Sequence, residues 1–335
     1  MKNKLYDHTG LRVGIACNIK TDHGSDMQAE FDEPETVAAI CGALEKEGYV
    51  PIVLEATTDF PKKLTAEAPD IVFNIAEGKS GRNREAQIPA ILEYYDVPYT
   101  GSDAATLSIA LDKALTKSIV EDAGVQTPSF FTLKKGFTVL PDEISYPVLV
   151  KPNAEGSSKG VSDTCVAKNR DELQTLVENQ MTLYDEDLLC EQYIDGREFT
   201  VGIIGNGEDA HVFEPMEIIY HKLRGEYKIY SFEVKRNYRE YISYKCPPDI
   251  SAEVSTCMKQ YAKKVYDRLG CVDFTRIDFR LSSDGKVYFI EANPLPGLAP
   301  GYSDFPMLAG FNGIEYDTIV CRVLKCALKR YEMKG

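Results

Sequence analysis

Two carboxylates, an amide and a guanidinium lie along one stretch, Arg276 to Gly297, at a spacing suited to metal-assisted phosphate chemistry. The segment RIDFRLSSDGKVYFIEANPLPG reads as a β-hairpin. Ile277, Phe279 and Leu281 alternate with Asp278 and Arg280, Asp284-Gly285 is a turn dipeptide, and Val287, Phe289 and Glu291 fall on one face of a regular strand. Pairing across the turn brings Asp278 beside Glu291, with Asn293 two residues further along the returning strand. These are hard oxygen donors of the kind Mg2+ takes when a substrate's phosphates complete its shell, and Arg276 meets further negative charge. Pro294 and Pro296 stiffen the exit, and Gly297 lets backbone come close to a ligand. A hairpin with a solvated polar face is the plain alternative.

Other segments carry groups suited to anions. Between two predicted strands lies NAEGSSKG, residues 153–160, whose glycines and serines can fold over phosphates, and Lys151 ends the strand before it. Many hairpins have Gly-Ser turns, so the lysine is what gives this loop weight. Glu191 follows an apolar strand, with the backbone of Gln192 to Ile194 expected to be free to read a base; a plain interdomain crossover is the alternative. In the loop EGKSGRNRE, Arg82 and Arg84, with Glu77 before them, are candidates for holding a carboxylate-bearing substrate through paired hydrogen bonds. Solvated charged loops are common, however.

The elements that must position these groups fall in two patterns. Leu11 to Cys17, Pro51 to Leu54 and Asp70 to Ile75 are apolar strands, with a helix begun at Asp32-Glu33-Pro34 and ended by Gly48 between the first two. That order predicts a small parallel sheet covered by helices, with ligands beyond the carboxyl ends of its strands. A helix over about Arg84 to Tyr95 follows, and LDKALTKSIVEDAG reads as one helix ended by Gly124. From Ser129 the chain turns to strands: FFTL, YPVLVKP, VSDTCVA and, after a helix over Asn169 to Leu183, LLCEQ and REFTVGII. Residues 217–243, rich in tyrosine and lysine, read as a covering loop; helices follow over Ser251 to Leu269 and Tyr316 to Tyr331.

Composition narrows the class. At 335 residues the chain has room for two or three domains, and 44% hydrophobic with 27% charged residues is ordinary for a globular protein. A formal net charge of -14 disfavours nonspecific nucleic-acid binding, so any phosphate site must be a local basic island. Nine scattered cysteines without a CxxC pair read as reduced core residues, and four histidines without HxxxH spacing offer no zinc site. With no signal peptide or membrane-length apolar run, the chain is expected in the cytoplasm, away from membranes.

Six segments, in order, resemble the ATP-grasp ligases, most closely the D-alanine–D-alanine ligase branch: LDKALTK, VKPNAEGSSKGV, CEQYIDGREFTVG, SFEVKR, RIDF and EANPLPG. The resemblance implies an α/β fold, α+β in its ATP-grasp part. A small parallel-sheet N-terminal domain would span residues 1–105, a central ATP-grasp subdomain 106–195, and a C-terminal subdomain with the metal site 196–335. It implies Lys113 and Lys151 on the ATP phosphates, Glu191 on the adenine amino group, Gln192, Tyr193 and Ile194 against the base, and Glu198 on the ribose. Ser157 and Ser158 would lie in the loop covering the phosphates, with Lys235 reaching them from a flap. Asp278, Glu291 and Asn293 would hold two Mg2+ ions, Mn2+ being an alternative. Arg276, Ser157, Lys235 and the backbone at Gly297 are the implied catalytic groups. The expected reaction joins a carboxylate to an amine: the carboxylate attacks the terminal phosphate of ATP to give an acyl phosphate and ADP, and the amine attacks the acyl carbonyl, releasing phosphate and forming the amide. Small amino acids or peptides are the implied substrates and a homodimer the implied assembly. A relative acting on a carrier protein or peptide terminus, and a nucleotide binder without catalysis, are the alternatives.

The substrate end departs from that branch. Where its members have a histidine-glycine motif, this chain has NIAEGKSGRNREAQIP; where a tyrosine follows the flap lysine, it has Arg236; after the metal residues it reads GLAPGYSDF, with Tyr302 and Ser303 as candidates for the second substrate. Glu33 or Glu35 corresponds to the glutamate that binds the first amino group. The added cations Arg82, Arg84 and Arg236 lead to the expectation of a substrate more negative than alanine.

Overall fold

In the computed structural model of the chain, the structure describes residues 9–22, 28, 30–156, 165–184, 186–222 and 225–333. Strands β1 (Arg12–Cys17), β2 (Val50–Glu55) and β3 (Ile71–Asn74) form a parallel sheet in the order β2-β1-β3. β1 and β3 are apolar and buried along nearly their whole length, because helices cover both faces. Pro34–Lys46 lies on one side, its turn opened by a proline whose missing N–H costs nothing there. Phe60–Glu67 and Gln87–Tyr94 lie on the other, packed around Phe60, Leu64, Ile88 and Leu92. Phe60–Glu67 is absent from the sequence reading, since eight residues carry too little periodicity to stand out.

A second sheet is antiparallel: β4 (Phe130–Leu133), β5 (Val148–Pro152), β6 (Val166–Ala167) and β7 (Leu188–Gln192), in the order β4-β7-β5-β6. The helix Arg170–Tyr184 covers it through Leu173 and Val177. The third sheet contains β8 (Gly196–Ile204), β9 (His211–Val212), β10 (Met216–Tyr220), β11 (Ile242–Lys245), β12 (Phe274–Ser282) and β13 (Val287–Asn293). Its order is β11-β10-β8-β12-β13, with β9 on β8. The helix Ala252–Leu269 packs Met258, Ala262, Val265 and Leu269 onto it. That helix starts at Ser251, which accepts from the Val254 N–H at 3.3 Å, and ends at Gly270 in left-handed backbone, φ +74°.

The helix expected over LDKALTKSIVEDAG is present as Lys113–Asp122, capped by Asp112, which accepts from the Leu115 N–H at 3.1 Å, and a helix the sequence does not announce, Ala104–Leu111, precedes it. Three local expectations are corrected. The covering loop over 217–243 holds β10 and two short helices, Phe232–Arg236 and Tyr238–Tyr241, held by sheet pairing and tyrosine packing that no periodicity announces. A helix over Asp304–Phe311 follows the Gly/Pro-rich exit unforeseen. Glu291 does not share a face with Val287 and Phe289. A β-bulge falls between the pairs Asp278–Glu291 and Phe279–Phe289, and the extra residue, Ile290, reverses the alternation. All nine cysteines are free, and Cys17, Cys165, Cys190, Cys271 and Cys321 are buried. Among the described residues no helix is long and apolar enough to cross a membrane.

Candidate active site

The bulge builds the centre of the site. Ile277, Phe279, Val287 and Phe289 enter the core, while Arg276, Asp278, Glu291 and Asn293 line a cavity of about 690 Å³. Arg276 holds Asp278 with two hydrogen bonds, Nε to Oδ1 at 3.1 Å and Nη2 to Oδ2 at 2.9 Å, and its Nη1 lies 3.3 Å from Asp304 Oδ2. Asn293 Nδ2 donates to Asp278 Oδ2 at 3.1 Å. Burial opposes the charge of Arg276, yet Asp278 and Asp304 hold it protonated. Burial also pushes the Asp278 carboxyl up, Arg276 opposing and Glu291 adding to the shift. Glu291 goes the other way: its burial is outweighed by Lys113, Lys151 and Arg276, which keep it ionised.

At the nucleotide end, Lys151 Nζ sits 2.6 Å from Glu191 Oε1, and Lys117 Nζ, fully buried, sits 2.8 Å from Glu191 Oε2. Both carboxylate oxygens expected on a base therefore face lysines. Burial would raise the Glu191 carboxyl, but the two ammonium groups lower it to about 2. Lys117 was not foreseen, although its place four residues after Lys113 in LDKALTK puts both on one helix face. Lys113 lines the cavity, and its Nζ donates to the Glu155 carbonyl.

The hinge backbone expected to be free is partly committed. The N–H groups of Gln192 and Tyr193 donate to the carbonyls of Ser129 and Pro147, both at 2.8 to 2.9 Å, since the end of β7 is tied to its neighbours. The Ile194 carbonyl accepts from Arg280 Nη1 at 2.8 Å. Arg280, also unforeseen, bonds Glu198 Oε2 at 3.0 Å and lies over the Tyr193 ring, and Tyr220 Oη donates to the same Glu198 oxygen at 2.8 Å. Lys235 and Arg236 line the cavity from the helix Phe232–Arg236. Burial, then the neighbouring Arg276, lowers the pKa of Lys235. Ser157 and Ser158 lie outside the described residues.

The N-terminal wall brings carboxylates to two of the three candidate arginines. Arg84 is buried, bonds both oxygens of Glu30 at 2.8 and 2.9 Å, and donates to the Ala154 carbonyl at 2.8 Å. Arg82 bonds Asp112 Oδ2 at 2.6 Å. Arg84 thus spends three of its five N–H donors within the protein, and of the three arginines only Arg236 lines the cavity. Glu77, Glu30 and Glu85 line it instead, their carboxylate oxygens within 4.8 Å of one another. Burial, then Glu30, raises Glu77 well above the usual range and takes Glu85 to about 7. Glu33, 3.5 Å from Lys20, and Glu35 line the cavity from the start of the first helix. Tyr302, Ser303 and Gly297 line its far side. Ser303 Oγ accepts from the Ala299 N–H at 3.1 Å, and a Cβ on Gly297 would meet that oxygen at 2.8 Å.

The family model described as D-ala D-ala ligase C-terminus matches residues 119–325. The chain is 31% identical to a D-alanine–D-alanine ligase of Carboxydothermus hydrogenoformans over 330 residues, covering 95% of this chain and 99% of that protein. It is 31% identical to one of Geobacter sulfurreducens over 302 residues, covering 89% and 90%. The crystal structure of D-alanine–D-alanine ligase from Bacillus anthracis complexed with ATP superposes with a TM-score of 0.77 at 22% identity, over 97% of this chain and all of that one. A family model that covers more than half of this chain and a relative aligned nearly end to end place this chain in the D-alanine–D-alanine ligase family, with the ATP-grasp fold.

Proposed function

We propose that this protein is an ATP-dependent ligase that joins a carboxylate to an amine as an amide, through an acyl phosphate, with a substrate end unlike that of the D-alanine–D-alanine ligases. The observation that carries this reading is one cavity that gathers four cationic side chains and the hairpin's oxygen donors beside a wall of three glutamates. Lys113, Lys151, Lys235 and Arg276 line it around the hairpin, and Glu30, Glu77 and Glu85 line its N-terminal wall. Asp278, Glu291 and Asn293 offer a hard oxygen set that fits Mg2+, and buried carboxylates that repel one another gain from a cation. When bound there, two Mg2+ ions would offset the mutual repulsion of triphosphate and carboxylate.

This chain's own residues supply the rest. Lys113, Lys151 and Lys235 bind the phosphates, and Arg276, kept charged by Asp278 and Asp304, faces the negative charge that develops on the transferred group. Glu198, oriented by Arg280 and Tyr220, accepts from the ribose. The acidic wall takes the ammonium of an amino acid or peptide; the notion of a strongly anionic substrate loses the support of Arg82 and Arg84. Phosphate release from Mg-ATP, followed across a panel of amino acids and dipeptides, tests the reading. Release is expected only with the correct amino compound, and Asn293→Ala should lower turnover by at least about 100-fold while nucleotide affinity changes only a few-fold. No release with any member, or full activity of Asn293→Ala, overturns it.

A further inference from the structure

Lys117 does not line the cavity, yet it is wholly buried directly behind two residues that do, Lys151 and Glu191. Glu191 on β7 and Leu149 on β5 are paired, so Glu191 and Lys151 project from the same face of the sheet. The helix Lys113–Asp122 lies over that face and delivers Lys117 to the remaining oxygen of Glu191, with the Phe289 ring 5.6 Å from its Nζ. We propose that Lys117 is a positioning residue for the nucleotide phosphates: by sharing the Glu191 carboxylate with Lys151, it lets that carboxylate orient Lys151 without cancelling its charge.

Charge counting gives the reason. Glu191 and Lys151 alone would be a neutral pair, and a phosphate approaching Lys151 would meet the field of a carboxylate 2.6 Å behind it. With Lys117 the group carries one net positive charge, presented to the cavity only through Lys151. A buried lysine is costly to fold around, and an apolar residue of similar shape would pack there more cheaply, so a purely structural role accounts poorly for a second ammonium on a carboxylate that already has one. An ammonium beside each oxygen also restrains the carboxylate, and with it the direction in which Lys151 is held.

The proposal rests on the ligase reading for the place of the phosphates, and equilibrium binding separates the two. If the wild-type protein fails to bind Mg-ATP, that reading has failed; if it binds and the variants below behave otherwise than stated, only the role of Lys117 has. Lys117→Met, close in shape and uncharged, is expected to weaken Mg-ATP and Mg-ADP binding at least about tenfold while leaving adenosine within about twofold, because the lost charge acts on phosphate. Equal weakening of all three ligands would mean a distorted hinge and would overturn the proposal, as would unchanged Mg-ATP binding. If Lys117→Met does not fold, Lys117→Met combined with Glu191→Gln removes the buried carboxylate too, and is compared with Glu191→Gln alone. Matching Mg-ATP affinities support action through Glu191; a further tenfold loss refutes it.

Discussion

Glu30, Glu77 and Glu85 surround one arginine, Arg84, whose guanidinium is already bonded to Glu30 and to the Ala154 carbonyl. Three buried carboxylates close together, with Arg84 already committed to Glu30, cannot all stay ionised at ordinary cost, and the strain falls on Glu77 and Glu85, although Lys113 eases it at Glu85. Glu85 has a folded-state pKa of about 7 against 4.5 for the free side chain. Folding therefore takes up a proton between those values. The stabilisation is intact below about pH 4.5 and is lost as the pH rises through about 7. Glu85→Gln, which keeps the uncharged shape, is expected to match the wild-type melting temperature near pH 4.5 and exceed it by several degrees at pH 8. Thermal melts across that window check this, and a variant less stable at pH 8 would show that Arg84 needs the Glu85 charge.

At the scale of elements, the hairpin of β12 and β13 shows how a single inserted residue turns a solvated ribbon into a site. Had the strands paired without Ile290 as a bulge, the regular alternation would have placed Glu291 opposite Ile277, on the core face. With it, Glu291 and Asn293 join Asp278. The other face must then be held flat, which the helix Ala252–Leu269 does by burying Met258, Ala262 and Val265 against Ile277, Phe279 and Phe289. The helix depends on its N-cap. Ser251→Ala leaves the Val254 N–H without its acceptor and should cost about 1 kcal/mol in urea denaturation, without altering Mg-ATP affinity. A change in affinity would mean that the helix end also shapes the hairpin.

At the scale of the whole molecule, the first sheet and the last helix share one core: Val13, Ile15 and Ile40 pack with Ile319, Val323 and Leu324. Asp273, fully buried and in left-handed backbone at φ +65°, ties the parts together. It accepts from the Gly101 N–H at 2.9 Å, from Asn206 Nδ2 at 2.8 Å and from Arg330 Nη2 at 2.8 Å. Asp273→Ala would leave the Gly101 N–H without its acceptor and the Arg330 guanidinium with carbonyls but no carboxylate, and put alanine in a conformation it resists. It is expected to lose about 3 kcal/mol or more, and Asp273→Asn less, by urea titration. A loss under about 1 kcal/mol from the alanine variant would show that the shared core alone joins the ends.

The sequence by itself determined the parallel sheet, most strands of the second sheet, the hairpin with its polar residues and the place of Lys151, because strand alternation, turn dipeptides and isolated charges beside apolar runs are local signals. It also carried the family resemblance, in short segments whose order survives where the substrate end has changed. Only tertiary structure decided partners. Arg82 and Arg84 read as free cations until Asp112 and Glu30, far along the chain or across a loop, were brought to them. Lys117 read as one more helix lysine until β7 set Glu191 beside it. The face on which Glu291 points depended on a bulge next to the paired, buried Phe279 and Phe289, which no residue type in the turn announces. Charge and periodicity are written along the chain, whereas which charges neutralise each other is a matter of distance in three dimensions.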